Sequence, residues 1–160
     1  DPAYKPSTYA KQINAAIAGY LQPVTAQLVE ELKAIVHESM PAGTCLIEFE
    51  LRFSYYTKSF PIRWDPKDIE KNALFGGDPL IEGKQPAFPK AFFETRAYEE
   101  LDLADFCFRA IEKWFADAWH QAGGAACAHP AYLRLHDSHV ALDLKERKLV
   151  KDSERWPAAT

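Results

Sequence analysis

Four adjacent polar residues between two apolar runs carry groups from which a catalytic site could be built. They are His136, Asp137, Ser138 and His139. A Ser-His-Asp triad needs a base within hydrogen-bond reach of the serine and an acid behind that base, all on rigid supports. Neighbours in a short turn rarely meet these requirements, whereas Asp and Ser favour turns because their side chains bond the nearby backbone. We therefore interpret the tetrad as a polar turn between two strands.

A metal centre is the sharper alternative for the same region. The pattern C-x-H followed by H-x-x-H supplies four donors, which are Cys127, His129, His136 and His139. Zinc takes four such ligands in structural sites. The spacing matches no common zinc module, so we expect no metal and no cofactor. The alternative function is a metal-binding protein or a small hydrolase that uses this cluster.

A pair of carboxylates lies in the segment CLIEFELRFSYY, residues 45–56, which alternates with a period of two. Its apolar residues share one face of a predicted strand, and Glu48, Glu50 and Arg52 share the other. Two carboxylates on one strand resemble the acid pair of a hydrolase, but with an arginine beside them they are typical of a solvated charged face. The sequence also lacks the GxGxxG, P-loop, GxSxG and HExxH motifs. We predict that the protein is not an enzyme.

The periodicity of the chain predicts the elements that position these residues. We expect one domain over residues 1–160, with N-terminal helices at 8–40, a hairpin at 44–64, a long loop at 65–95, a helix at 102–122 and a C-terminal hairpin at 131–150. Short turns between strands favour antiparallel pairing. The predicted fold is therefore α+β, with an antiparallel sheet of about four strands in two hairpins and helices packed on one face. Pro61 cannot donate to a ladder, so we predict a free sheet edge there.

Composition and charge exclude several classes of partner. The formal net charge is -4, so the basic footprint that supplies most non-specific affinity for nucleic acid is missing. No run approaches the length of about 18 apolar residues that spans a bilayer. We expect contact with neither nucleic acid nor membrane. The few cysteines fit reduced thiols of the cytosol, so we expect a cytoplasmic location, or a periplasmic one if a leader was removed before Asp1.

The order and character of three segments resemble a known family. The segments are CLIEFELRFSYY, DFCFRAIEKWFADAWHQAGG and HPAYLRLHDSHVALDLKERKLV, within residues 44–150. Together they are similar to the small acidic α+β immunity proteins of bacterial polymorphic-toxin systems, which are encoded beside contact-dependent or type VI toxins. The resemblance implies a non-enzymatic inhibitor that binds a cognate toxin domain and neutralises it by occluding its active site.

If the protein is such an inhibitor, its binding surface should lie on the polar face of the first strand and at the start of the long loop. The residues are Glu48, Glu50, Arg52, Tyr56, Asp65, Asp68 and Glu70. Acidic side chains would steer a basic toxin domain towards this surface, and aromatic anchors would stabilise the complex. We expect a monomer or a weak dimer. A structural or adaptor module that self-associates through the edge near Pro61 is a third interpretation.

Overall fold

The computed structural model describes residues 6–54, 56–68, 77–88 and 103–155, with side chains from residue 10 in the first range and residue 105 in the last. The elements in chain order are helix α1 (Pro6–Val36), strands β1 (Leu46–Leu51), β2 (Ile62–Lys67) and β3 (Asp78–Leu80), helix α2 (Leu103–Gln121), a 3-10 turn (Gly124–Ala126), strands β4 (Ala131–Leu135), β5 (Val140–Asp143) and β6 (Lys148–Lys151), and the one-turn helix α3 (Asp152–Arg155). The predicted α+β class is confirmed.

The strands form one six-stranded sheet in the order β3-β2-β1-β4-β5-β6. Strands β1 and β4 run parallel at its centre, and the other neighbours are antiparallel. The prediction of an antiparallel sheet of about four strands in two hairpins was therefore wrong in strand number and in the central pairing. Parallel neighbours need a long crossover connection, and the segment that contains α2 supplies it.

The remaining corrections to the predicted elements concern the N-terminal region and the long loop. The predicted pair of N-terminal helices is one continuous helix with Pro23 inside it. The loop predicted at 65–95 contains the end of β2 and all of β3. Its other residues at 69–76 and 89–95 lie outside the described part of the chain.

The free edge predicted near Pro61 is covered, because residues 78–88 return to the sheet. Strand β3 pairs with β2, with Leu80 opposite Ile62. Just before Pro61, the backbone N–H of Phe60 donates to the carbonyl oxygen of Pro86 at 2.7 Å. The edges of the described sheet are β3 and β6 instead.

Both long helices pack on one face of the sheet, where the alternating apolar residues of the strands point. Phe49 of β1 lies at the centre of this core, with its ring centroid 4.8 Å from that of Phe115 and 5.5 Å from that of Trp119. Edge-on contacts of this kind add to the stabilisation that aromatic burial supplies. The face of the sheet opposite α1 and α2 is called the outer face below, and Arg155 of α3 reaches over it to Glu48.

Candidate functional site

The outer face carries most of the polar side chains of the strands. Cross-strand pairing places Asp65 beside Glu48 and Arg63 beside Glu50, and on the other side of β1 it places Arg134 beside Glu50. Basic, acidic and basic side chains therefore alternate in the row Arg63, Glu50 and Arg134, whereas the neighbouring row places two carboxylates, Asp65 and Glu48, side by side. A small apolar cluster, made of Leu46, Tyr132, Ala141 and Val150, lies on the same face.

Glu48 is an internal member of this face, since its side chain is only 8% exposed. Its carboxylate accepts a hydrogen bond from Arg134 Nε at 2.9 Å and another from Arg155 Nη1 at 2.6 Å. Burial raises the pKa of Glu48, but the hydrogen bonds and positive charges of the two arginines outweigh it, so the pKa lies below its ordinary value. Glu48 is therefore ionised at neutral pH, and each of its two carboxylate oxygens accepts a hydrogen bond from one arginine.

Glu50, two residues further along β1 and on the same face, is more exposed than Glu48 and contacts three basic side chains. It accepts a hydrogen bond from Arg134 Nη2 at 2.8 Å, and it lies 3.2 Å from Arg52 Nε and 3.3 Å from His136 Nδ1. Arg134 thus bridges the two glutamates with different nitrogens of one guanidinium. Such a network restricts the rotamers of all its members, because each side chain is held at more than one point.

Arg155 brings the C-terminal end of the described chain onto the outer face. Its side chain is 4% exposed, and Asp152, at the start of the same helix, accepts from its Nη2 at 2.8 Å. The guanidinium carbon also lies 6.0 Å from the ring centroid of Tyr132, within the range of a cation–π contact. Arg155 therefore connects helix α3 to the centre of the sheet.

The other residues predicted for partner binding differ in their surroundings. Tyr56 is 100% exposed, in the turn between β1 and β2. Asp65 forms an ion pair with Lys67 Nζ at 3.0 Å, and Asp68 is half-buried directly after β2. Glu70 lies outside the described residues. The predicted surface thus carries mixed charge around β1 and β2, because Arg63, Lys67 and Arg134 lie among the carboxylates.

The histidine tetrad forms the turn between β4 and β5, as predicted. The N–H of Ser138 donates to the carbonyl oxygen of Leu135 at 3.0 Å, and its Oγ accepts from the N–H of Val140 at 3.2 Å. Asp137 adopts the left-handed conformation with φ 61°. Ser138 therefore bonds the local backbone, and the described contacts include no hydrogen bond from it to either histidine.

The four donors of the alternative metal site do not converge. Cys127 and His129 precede β4, whereas His136 and His139 follow it, so a strand of five residues, about 16 Å long, separates the two pairs. His139 is itself 97% exposed and lies 3.8 Å from a carboxylate oxygen of Asp152. Within the described ranges, no three His, Cys, Asp or Glu side chains are placed to hold a metal ion.

Comparison with models of protein families, with curated proteins and with solved structures finds no match to this chain. In the part of the chain that the structure describes, no helix has the length and apolar character to cross a membrane.

Proposed function

We propose that this chain is an immunity protein that binds a cognate bacterial toxin domain and neutralises it by occluding the active site. The observation that carries the proposal is the array of charged side chains on the outer face, held in place by Glu48, Glu50, Arg134 and Arg155. Binding loses less side-chain entropy when the contacting groups are already immobilised. An ordered and largely polar face of this kind suits recognition of a protein surface.

The surroundings of each residue divide the proposed surface into two roles. Glu50, Arg52, Asp65, Asp68 and Tyr56 are at least partly exposed and would contact the toxin. Glu48 lies beneath them and would orient Arg134 instead of touching the partner. Glu70 keeps its proposed contact role, although its surroundings are not described. Mixed charge within the surface would select one toxin over related ones, because a partner with the wrong pattern leaves charges unpaired.

The net charge of the chain supports a basic partner. At -4 it favours the approach of a positively charged domain over long distances, and this attraction accelerates association at low ionic strength. Association should therefore slow as salt is added, whereas the dissociation rate should change little.

The test is neutralisation of the toxin encoded beside this chain in the source genome. The toxin domain would be expressed in a bacterium with and without the chain, and the affinity of the purified pair would be measured by calorimetry. We expect restored growth, a one-to-one complex, and affinity about tenfold weaker or more for Glu50→Lys combined with Arg52→Glu. Glu30→Lys combined with Lys33→Glu is the matched control, since this swap also leaves the net charge unchanged and both residues are exposed on α1, away from the outer face.

Three outcomes separate the parts of the proposal. The outer-face variant is Glu50→Lys combined with Arg52→Glu. If it loses neutralisation while the control variant on α1 retains it, both the function and the surface are supported. Full neutralisation by the outer-face variant retains the function and overturns the placement. No neutralisation and no complex with the wild-type chain overturn the immunity function itself.

A further inference from the structure

A groove of about 510 Å³ lies between α1 and α2 and is open to solvent. Its apolar lining comes from Trp114 and the small side chains of Ala18 and Ala110, with Leu21 beneath them at only 3% exposure. Ligand pockets in proteins typically enclose about 300–1,000 Å³, so the groove has room for a small organic molecule.

The aromatic side of the groove is held in a fixed orientation. Trp114 Nε1 donates a hydrogen bond to Thr25 Oγ1 at 2.9 Å, and Thr25 Oγ1 in turn donates to the carbonyl oxygen of Leu21 at 3.0 Å. The polar edge of the indole is thereby satisfied within the protein. An apolar ligand could contact the ring without leaving an indole N–H unpaired.

The charged side of the groove is basic, although the whole chain is acidic. Arg109 and Lys113 are one helical turn apart on α2, and both line the groove. Arg109 forms ion pairs with Asp105 at 3.4 Å and with Glu112 at 3.0 Å. The described residues include no ion-pair partner for Lys113. The acidic residue at the groove, Asp117, is engaged by Arg147 at 2.6 Å. Lys113 therefore remains available to an anion.

We infer that this groove binds a small organic anion with a flat apolar body, such as an aryl carboxylate. The anionic group would pair with Lys113, and the flat body would lie against Trp114, Ala18 and Ala110. The charge complementarity between a lone ammonium group and an anion is what selects this occupant over a neutral one. The groove belongs to the helical layer and the proposed toxin surface to the outer face of the sheet, so each can be tested without the other.

The probe is anilinonaphthalene sulfonate, a flat aromatic anion whose fluorescence rises when it leaves water. Titration of the native protein should give one saturable site per chain, with energy transfer from tryptophan and displacement by salicylate. Lys113→Gln should weaken binding about tenfold, since it removes one charge-assisted contact. Ala18→Trp should abolish binding, because the new ring fills the groove.

Two control variants distinguish the groove from general binding to the surface. Ala15→Trp adds the same ring to an exposed position of α1 that does not line the groove, and Lys11→Gln removes an exposed charge from the same helix. Both should bind the probe as the wild-type protein does. Circular dichroism checks that each variant is folded, and Lys113→Gln remains decisive if Ala18→Trp does not fold.

Several results would overturn the inference. They are the absence of saturable binding, unchanged affinity in Lys113→Gln, or equal losses in Ala15→Trp and Ala18→Trp. Sedimentation of the unliganded protein gives a further test of what occupies the groove. A dimer that dissociates on Ala18→Trp but persists in Ala15→Trp would show that a second copy fills the groove, not a small anion.

Discussion

Arg155 donates a hydrogen bond to Glu48 at 2.6 Å across 107 positions of sequence, and the two side chains are only 4% and 8% exposed. The contact joins the last described helix to the central strand of the sheet. Because both charges are removed from water, their pairing is maintained only if the remaining donors and acceptors are also satisfied. Asp152 and Arg134 meet that requirement, one for each partner.

We expect Arg155→Met to lower the free energy of unfolding by about 3 kcal/mol. The methionine keeps most of the apolar stem, but it leaves Glu48 buried with one guanidinium instead of two. Urea-induced unfolding, followed by tryptophan fluorescence and far-UV circular dichroism, measures the change.

The exposed pair between Lys33 and Glu30 is the control for that substitution. Its side chains are 48% and 73% exposed, so Lys33→Met should change the free energy of unfolding by no more than about 0.5 kcal/mol. Equal effects of the two substitutions would mean that the buried contact contributes no more than an ordinary surface ion pair.

The acid sensitivity of the fold should depend in part on Glu48. Burial raises its pKa, but Arg155 and Arg134 lower it more, so the folded pKa lies below the ordinary value of 4.5. At pH values between the folded pKa and the ordinary pKa, the unfolded chain binds more protons than the folded chain. The stabilisation is therefore complete above about pH 4.5 and is lost as the pH falls through the folded pKa. Glu48→Gln should remove this acid-dependent loss in unfolding free energies measured over that range.

Glu112 provides a comparison of opposite sign. Burial raises its pKa above the ordinary value, despite the positive charge of Arg109. The folded chain then binds more protons than the unfolded one, so this carboxyl lowers stability as the pH rises through the raised pKa. Glu112→Gln should remove that decline. If the two variants changed the pH profile in the same direction, one of the assigned pKa shifts would have the wrong sign.

The local pattern of the sequence was sufficient to predict which residues of β1 share a face and where the turn between β4 and β5 lies. Alternation in CLIEFELRFSYY placed Glu48 and Glu50 on one side of β1, and the register confirms that side. Turn chemistry likewise identified residues 136–139 as the connection between β4 and β5. These features depend on side chains only a few positions apart, which is why one sequence can reveal them.

Which strands lie beside one another depends on contacts between residues far apart in the sequence, and no local pattern encodes those contacts. Alternation gives β1 two faces but does not say that β4 lies beside it. The connection from β1 to β4 contains β2, β3 and the long helix α2, and a connection of that length is compatible with parallel pairing. Arg155 lies in the tail beyond Lys151, which carries no periodicity, so nothing in the sequence indicated that it would cover Glu48.

We expect the contact between Glu31 and Ile81 to stabilise the segment after β3. Glu31 Oε1 accepts the backbone N–H of Ile81 at 2.9 Å, and Ile81 is fully buried with φ 42°, an unfavourable conformation for a β-branched residue. Glu31→Ala would leave that N–H without its acceptor and should lower the free energy of unfolding by about 1–3 kcal/mol.

Two further variants separate the lost acceptor from a general effect of charge on α1. Glu31→Gln retains an acceptor oxygen and should recover part of the loss, whereas Glu30→Ala, at the exposed neighbouring position, should have an effect within about 0.5 kcal/mol. Hydrogen exchange at the amide of Ile81 should accelerate in Glu31→Ala alone. Unchanged protection of that amide would contradict the assigned role of Glu31.

The conformation of Asp137 predicts that glycine and alanine variants have opposite orders of stability at positions 137 and 15. Asp137 has φ 61°, where a glycine avoids the steric penalty that alanine incurs, so Asp137→Gly should be more stable than Asp137→Ala by about 1 kcal/mol. Both variants lose the carboxylate equally, and only the backbone preference differs. At Ala15, on the exposed side of α1, glycine should instead be less stable than alanine by about 1 kcal/mol. If glycine were the less stable residue at both positions, the turn in solution would not hold Asp137 in the left-handed region.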